Sequence, residues 1–490
     1  MQLRIPRGYV FFGLAALSLM MFSIDSTVVA VALPTVMGDL HTSLAWTGWT
    51  LTAYTLTQIT VMPLAGKLSE SFGRMRVFLA CVVLFTVGSL LCGLAPNIYV
   101  LIGCRVLQAL GGGGFLPSAA GIVAREFPRE RARMIGLFSS IFPLGGIIGP
   151  NLGGLIVEHW SWRQVFLINV PIGAIVLLVL WRQARTPETR AQRNIDVVGA
   201  LLFASAITAL LLALSMLGND PTFWSSPLFS GLLVGSALLL AAFGWQELRV
   251  AEPVLDLRLV MRSPFLAVNI YNFWFGACVF GFFAFIPYFA VVQFGMSPAE
   301  SGAVLTPRSV VMMATSMVVS LLLVRVGYRA PMIAGMALIV VSLELLSQGW
   351  GSWVLGSARI GTFPLLALEV GLAGMGMGLA APSSNNAILD LLPERAAVVT
   401  GIRGMFRSTG GVIGTACIVL GLQFSPDKAA GLRVIFGVLG GLLLLTLPLT
   451  LLIPDTARGR RRPAQPAQGE PSAPDGSVPP RPATLGSAPR

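Results

Sequence analysis

The chain has 490 residues, 55% of them hydrophobic and 11% charged, with 33 Lys and Arg against 21 Asp and Glu and a formal net charge of +12. Soluble domains average about 25% charged residues, so this composition, with a mean hydropathy of +0.80, excludes a soluble protein and identifies an integral membrane protein. The positive charge is not a nucleic-acid surface, because the basic residues form short clusters between apolar runs, the distribution that membrane topology imposes.

Apolar runs of about 20 residues cross a hydrocarbon core of about 30 Å as helices. Such runs lie near 9–33, 45–65, 77–95, 98–122, 134–157, 164–182, 196–217, 228–248, 264–290, 301–324, 329–349, 360–382, 398–424 and 431–453. The sequence thus predicts an all-α protein of fourteen membrane helices, with both termini on one side. Alternate connections carry Lys67, Arg74 and Arg76, then Arg125 to Arg133, Arg182 to Arg193, Arg249 to Arg262, and Arg325 with Arg329. Arg4, Arg7 and the cluster Arg458 to Arg462 fall in the same phase. The positive-inside rule puts those loops and both termini in the cytoplasm, so a multi-pass protein of the cytoplasmic membrane is expected. The first run is too long for a cleavable signal and is followed by another span, so none is expected. The connection 249–263 reads as a short amphipathic segment at the interface. The Pro-, Ala-, Gly- and Ser-rich stretch 456–490 reads as a disordered cytoplasmic tail.

An internal repeat is visible. Gly111 to Ser118 aligns with Gly376 to Ser383, and one constant offset also carries Pro128 onto Pro393, Gly136 onto Gly401, and Gly145-Gly146-x-Ile148-Gly149 onto Gly410-Gly411-x-Ile413-Gly414. The first six spans match spans nine to fourteen, which leaves seven and eight as a linker pair. The expected organisation is a six-helix half over 1–186, linker helices over 187–262, and a second six-helix half over 263–455. Repeated halves about an axis along the membrane normal place a substrate site between them near the midplane.

Four stretches carry chemistry. Asp25 lies inside the first span, where a carboxylate costs at least about 2.5–3.5 kcal/mol on insertion scales; the bland alternative is a cap near a helix end. Gly66-Lys-Leu-Ser-Glu-Ser-Phe-Gly-Arg-Met-Arg76 joins spans two and three. Its glycines permit a tight turn and close helix approach. Glu70 with its arginines forms either a switchable cluster between the halves or a turn with ordinary topogenic charge. Arg105 and Gln108 share a face of the fourth span, at a depth similar to Asp25. An arginine there needs an anion or several carbonyls, so Asp25 and Arg105 could meet, as a proton-coupling pair or as a fixed structural pair. Gly145, Gly149, Pro150, Gly153 and Gly154 put small residues and a kink into the fifth span; packing alone would also explain them. Glu369 falls mid-membrane in the twelfth span. Glu344 lies nearer the outer end of the eleventh, where a wetted interfacial residue is the alternative. Arg407 and Arg403 sit in the thirteenth, where snorkelling is the alternative. The ninth span is crowded with aromatics including Phe283, which face lipid by default or line an apolar cavity.

These stretches resemble the major facilitator superfamily. Gly66 to Arg74 is similar to its Gly-x-Leu-x-Asp-x-x-Gly-Arg signature, with Glu70 for the usual Asp. Arg105-Val-Leu-Gln-Ala-Leu-Gly111 looks like its fourth-helix arginine motif, and Gly145 to Gly154 like the fifth-helix motif of its drug exporters. The run from Asp25 through Thr27, Val28 and Val29 to Ala32, Leu33 and Pro34, together with Trp160 to Gly173, resembles the fourteen-helix drug:proton antiporter branch. The resemblance covers about 9–455 and implies multidrug efflux, hence antibiotic resistance, by alternating access. It also implies a proton gradient in place of any cofactor, a monomer in lipid, and amphiphilic, often cationic, substrates. In those terms Asp25, Arg105 and Glu369 are candidates for proton coupling. Asp25, Gln108, Phe283, Glu344, Glu369 and Arg407 are candidates for the substrate cavity, and Gly66, Glu70, Gly73 and Arg74 for a conformational lock. The alternative cargo is a lipid or one endogenous metabolite, moved by an exporter or flippase; a non-transporting sensor is the alternative from another class.

No metal is expected, since none of the five cysteines has a CxxC spacing. Nor is an enzyme: His41 and His159 fall in outer loops, and no nucleophile–base set appears.

Overall fold

The computed structural model describes residues 6–42, 44–183, 196–250, 253, 255, 257–355, 358–423 and 425–455. The expected tail 456–490 lies outside the described residues, as does part of the connection 249–263. Membrane-length helices follow one another along the chain: α1 Arg7–Asp39, α2 Leu44–Phe72, α3 Arg74–Gly93, α4 Ile98–Glu126, α5 Arg131–Ser139 continued as Ile141–His159, and α6 Trp162–Leu167 continued as Asn169–Gln183. The linker pair is α7 Val197–Asn219 and α8 Pro227–Arg249. Then come α9 Ser263–Phe275 continued through a π-turn as Gly281–Phe294, α10 Pro298–Ala303 continued as Leu305–Val326, and α11 Arg329–Gln348. The chain closes with α12 Thr362–Leu391, α13 Ala396–Gln423 and α14 Lys428–Leu444. A two-stranded antiparallel hairpin, Trp353–Leu355 with Ala358–Ile360, caps the α11–α12 connection.

Among the described residues 13 helices are long and apolar enough to cross a membrane. The fourteenth, α2, has 29 residues. Its apolar character is diluted by Thr47, Thr50, Thr52, Thr55, Thr57, Gln58 and Thr60, and most of these hydroxyls bond back to carbonyls of their own helix, as Thr55 does to Leu51 and Thr57 to Ala53. Such back-bonding satisfies a hydroxyl without water.

Glycine governs how closely the helices approach, and it does so twice in the same way. Along α5, Gly145, Gly149 and Gly153 lie against Ser23, Thr27 and Val28 of α1. Along α13, Gly410 and Gly414 lie against Phe273 and Ala277 of α9. In α4, Gly111 meets the α3 backbone at Cys81 and Phe85, and Gly113 meets Gln58 of α2. Their counterparts in α12 are Gly376, which meets Gly335 and Ile339 of α11, and Gly378, which meets Met312 of α10. The repeated motif also crosses between the halves with the same symmetry: Gly136 of α5 abuts Ser320 of α10, and Gly401 of α13 abuts Met62 of α2. One glycine pattern thus makes the same contacts in each half, α1 standing for α9, α3 for α11 and α5 for α13.

The fifth helix is interrupted at Ser140, between Ser139 and Ile141. Gly154 faces open space and takes no part in the α1 contact. Gly145, Gly149 and Gly153 therefore form the packing stripe. A methyl group at position 149 would run into Thr27 and approach the Ile24 carbonyl at 3.1 Å. Gly149→Ala should lower the unfolding midpoint in detergent by the equivalent of about 1–3 kcal/mol, whereas Gly154→Ala should stay within about 0.5 kcal/mol of the parent. Equal midpoints for the two variants would refute the assignment of the stripe.

Candidate functional site

Asp25, Arg105 and Gln108 meet inside the first half, all with no solvent exposure. Helical spacing places Arg105 and Gln108 on one face of α4, and Gly88 lets α3 come within 2.6 Å, measured from an added Cβ, of the Gln108 Cα. Arg105 Nη1 donates to Asp25 Oδ2 at 2.7 Å and to Gln108 Oε1 at 2.6 Å, while Nε donates to the Thr50 carbonyl at 3.3 Å. Gln108 Nε2 donates to Asp25 Oδ1 at 2.8 Å and to Ser89 Oγ at 2.7 Å, and Asn169 Nδ2 donates to Asp25 Oδ1 at 3.2 Å. The guanidinium lies 3.9 Å from the centroid of the Tyr54 ring. Every named partner of Asp25 is a donor, the arrangement an ionised carboxylate requires. Arg105 Nη2 and the Tyr54 hydroxyl have no partner among the described residues. Five helices, α1, α2, α3, α4 and α6, therefore converge on one buried charge pair.

Sequence reasoning named Asp25, Arg105 and Gln108 and missed Ser89, Thr50, Tyr54 and Asn169. Asn169 had a signal: it lies in the stretch Trp160 to Gly173, as the amide that ends the apolar run Val165-Phe166-Leu167-Ile168.

A cavity of about 520 Å³ lies between the halves. Its walls include Leu19 and Phe22 of α1, Leu51, Thr55 and Gln58 of α2, and Phe142 of α5. The second half contributes Arg403, Arg407, Ser408 and Thr415 of α13, and linker helix α7 contributes Leu214 and Ser215. Of the six residues assigned to a substrate cavity, Arg407 lines it and five do not. Asp25 and Gln108 are engaged in the buried network. Phe283 is packed on Phe282, with ring centroids 4.1 Å apart, and lies under Arg308. Glu344 is on the exposed face of α11 that borders α14. Glu369 is buried in α12, where its backbone carbonyl accepts from Ser342 at 2.6 Å and its Oε1 has no partner among the described residues. Among the described residues no Asp or Glu lines the cavity, so the wall itself offers no counter-ion to a cationic substrate.

Beneath the cavity the halves meet at the end that carries the basic loops. Gly66 lies against the backbone of Ala397 and Val398, 2.7 Å from each as measured from an added Cβ. Gly73 turns the chain at a φ of 96°, and Gly327 does the same at 84° in the equivalent α10–α11 turn; only glycine adopts such backbone without strain. Arg74 Nη1 donates to the Gly121 carbonyl at 2.8 Å and Nη2 to the Glu394 carbonyl at 2.9 Å, which joins the two halves. Glu70 is half-buried in the same region. Two links that the sequence did not signal complete the closure: Arg131 pairs with Asp390, which also accepts from the Tyr328 hydroxyl at 2.6 Å, and Asn385 donates to Ser139 at 3.2 Å. At the opposite end Asp39 takes hydrogen bonds from Arg163 at 2.5 Å and Trp162 at 2.9 Å, which hold its carboxyl below the ordinary carboxylate range.

Comparison with known proteins agrees with this architecture. The family model described as Major Facilitator Superfamily matches residues 15–271 and 268–485. Among curated relatives, the multidrug transporter protein MdtP of Bacillus subtilis is 34% identical over 399 residues, 81% of this chain and 72% of that protein. The tetracenomycin C resistance and export protein of Streptomyces glaucescens is 33% identical over 429 residues, 85% and 77% of the two chains. A multidrug resistance protein B homolog of Mycobacterium tuberculosis is 30% identical over 421 residues, 85% and 77%. The solved structure of the human organic anion transporter MFSD10 superposes with a TM-score of 0.66 at 16% identity, covering 91% of this chain and 100% of that one; at that identity the likeness is one of fold.

Two outcomes are expected of the site. Removing one member of a buried pair costs about 3–5 kcal/mol because the other is left uncompensated. Arg105→Gln should therefore lower the unfolding midpoint more than the double variant Asp25→Asn/Arg105→Gln does, and strictly additive losses would show that the two do not act as a pair. In a background freed of the native cysteines, Asp390→Asn should speed maleimide labelling of Ser139→Cys from the basic end. An unchanged labelling rate would remove Asp390 from the closure.

Proposed function

The chain belongs to the major facilitator superfamily, and from that premise we propose that it exports amphiphilic small molecules by proton-coupled alternating access. The observation that carries the reading is the Asp25–Arg105 pair, sealed among five helices beside a half-to-half cavity. Its relatives' names, multidrug transporters and a resistance and export protein, support the cargo class, and the positive-inside rule supports cytoplasmic termini.

Asp25 as placed accepts from Arg105, Gln108 and Asn169. A proton arriving on that carboxyl removes an acceptor from at least one of them and leaves Arg105 without its counter-charge. The cost of an unpaired buried charge then pushes α4 and α6 towards an arrangement in which Arg105 finds another partner. Binding a proton and repacking the first half become one event, as alternating access requires. Glu369 is the second candidate carrier: a buried carboxyl with one oxygen short of a donor is a place where a bound proton relieves a burial cost. The energy available is about 2.3 kcal/mol per charge moved through 100 mV. The links at Arg74, Arg131 and Asn385 hold the basic end shut in the state seen here.

In proteoliposomes with an imposed pH gradient, Asp25→Asn should reduce substrate movement to that of empty liposomes while still binding substrate, because Asn keeps the shape and loses the titratable oxygen. Transport with an unaltered dependence on the gradient would overturn the coupling role of Asp25.

A further inference from the structure

The cavity is asymmetric in a way that the repeat makes measurable. In the register that carries Gly136 onto Gly401, the places of Arg403 and Arg407 are taken in the first half by Phe138 and Phe142. Phe142 lines the same cavity as Arg407, and Phe138 is fully buried. The same positions of the fold are thus aromatic on one side and cationic on the other.

Both arginines lie deep. Arg407 is eleven residues from the start of α13 at Ala396, about 17 Å along a helix of 1.5 Å rise, near the middle of a membrane. Arg403 is 3% exposed, and its Nη1 donates to the neutral amide oxygen of Asn272 at 3.2 Å while its Nε has no acceptor among the described residues. Ser408, Thr415, Thr52, Thr55 and Gln58 add neutral hydrogen-bonding groups to the wall. The carboxylate nearest in function, Asp25, is enclosed in the first half with three donors on it. A cation entering this space would meet two guanidinium groups, and among the described residues no carboxylate lines the wall. An anion would supply the acceptor that the Arg403 Nε lacks among the described residues, in a bidentate geometry suited to guanidinium groups.

We propose that the cavity takes amphiphilic anions: an aromatic or aliphatic body bearing a carboxylate, sulfonate or acidic phenol. The head sits at Arg403 and Arg407, and the body lies against Leu19, Phe22 and Phe142. This proposal departs from the cationic preference expected from the sequence. The inference rests on the export reading for the cavity's being a substrate site.

The test separates the two. Purified protein in nanodiscs is titrated with anilinonaphthalene sulfonate, an aromatic anion, and with ethidium, an aromatic cation of similar size, against empty nanodiscs. Arg407→Gln, the charge-conserving Arg407→Lys and Arg403→Gln are compared with the parent, each first shown to be monodisperse. The expected result is saturable binding of the anion in preference to the cation, weakened about tenfold or more by Arg407→Gln and substantially retained by Arg407→Lys. Equal or tighter binding of ethidium, loss of neither ligand in the Gln variants, or no saturable anion binding overturns the proposal. The same two ligands are then followed in proteoliposomes under a pH gradient. Arginine-dependent anion binding without gradient-driven movement would sink the export reading and leave the ligand class standing. Gradient-driven movement of ethidium alone would do the reverse.

Discussion

Everything in the first half turns on one constraint: a carboxylate and a guanidinium placed where water does not reach must each find the other. Asp25 and Arg105 come from helices far apart in sequence, and neither is tolerable there alone. Satisfying them recruits a carbonyl from α2, an amide from α4, an amide from α6, a hydroxyl from α3 and the face of Tyr54. The packing that permits this is made by glycine, since Gly88 and Gly111 bring α3 and α4 into backbone contact. The polar pair and the small-residue stripes are therefore a single device. Close approach supplies the neighbours, and the neighbours make the charges bearable.

The second half keeps the glycine device and abandons the charge pair. In the register of the repeat Arg105 corresponds to Val370 and Gln108 to Ala373, and both counterparts are fully buried apolar positions. Its own charges are placed differently, with Glu369 one residue from that position and Arg403 and Arg407 on the cavity side of α13. The two halves share a backbone plan and divide the chemistry. A buried carboxylate–guanidinium pair lies in one, and a charged face towards the cavity is carried by the other.

What was legible in the sequence follows from which signals are local. Helix number and order came from hydropathy and charge phase, since each span states its own length and each loop its own sign. The exception in strength, α2, is rich in threonine yet helical, because back-bonded hydroxyls cost little in a buried helix. The Asp25–Arg105–Gln108 contact was legible because an acid and a base at equal depth in a membrane have few alternatives. The cavity wall was not legible. Phe283 and Arg407 look alike on a helical wheel, both bulky residues within apolar spans, and only the tertiary arrangement shows that one packs beneath Arg308 while the other borders the cavity. The Arg131–Asp390 link was hidden for the same reason: a loop arginine and an acid at a helix end have many possible uses. Asn385 and Ser139 are no more telling in isolation.

The closure at the basic end has a different character from the packing within each half, and that difference suits a moving part. Inside a half, contacts are continuous and dry: glycine against backbone, Phe85 against Phe115, Phe282 against Phe436. Between the halves the named polar links are few and sit near the ends of helices. Charge-assisted hydrogen bonds contribute about 1.5–3 kcal/mol each and neutral ones about 0.5–1.5. Links of that size can hold one arrangement and still be exchanged for others at a cost of a few kcal/mol. Close-packed cores do not deform gradually, and it is at Gly66 and Gly401 that the backbones of the two halves approach each other directly. The closure is thus made of a few exchangeable polar links, whereas each half is held by continuous close packing.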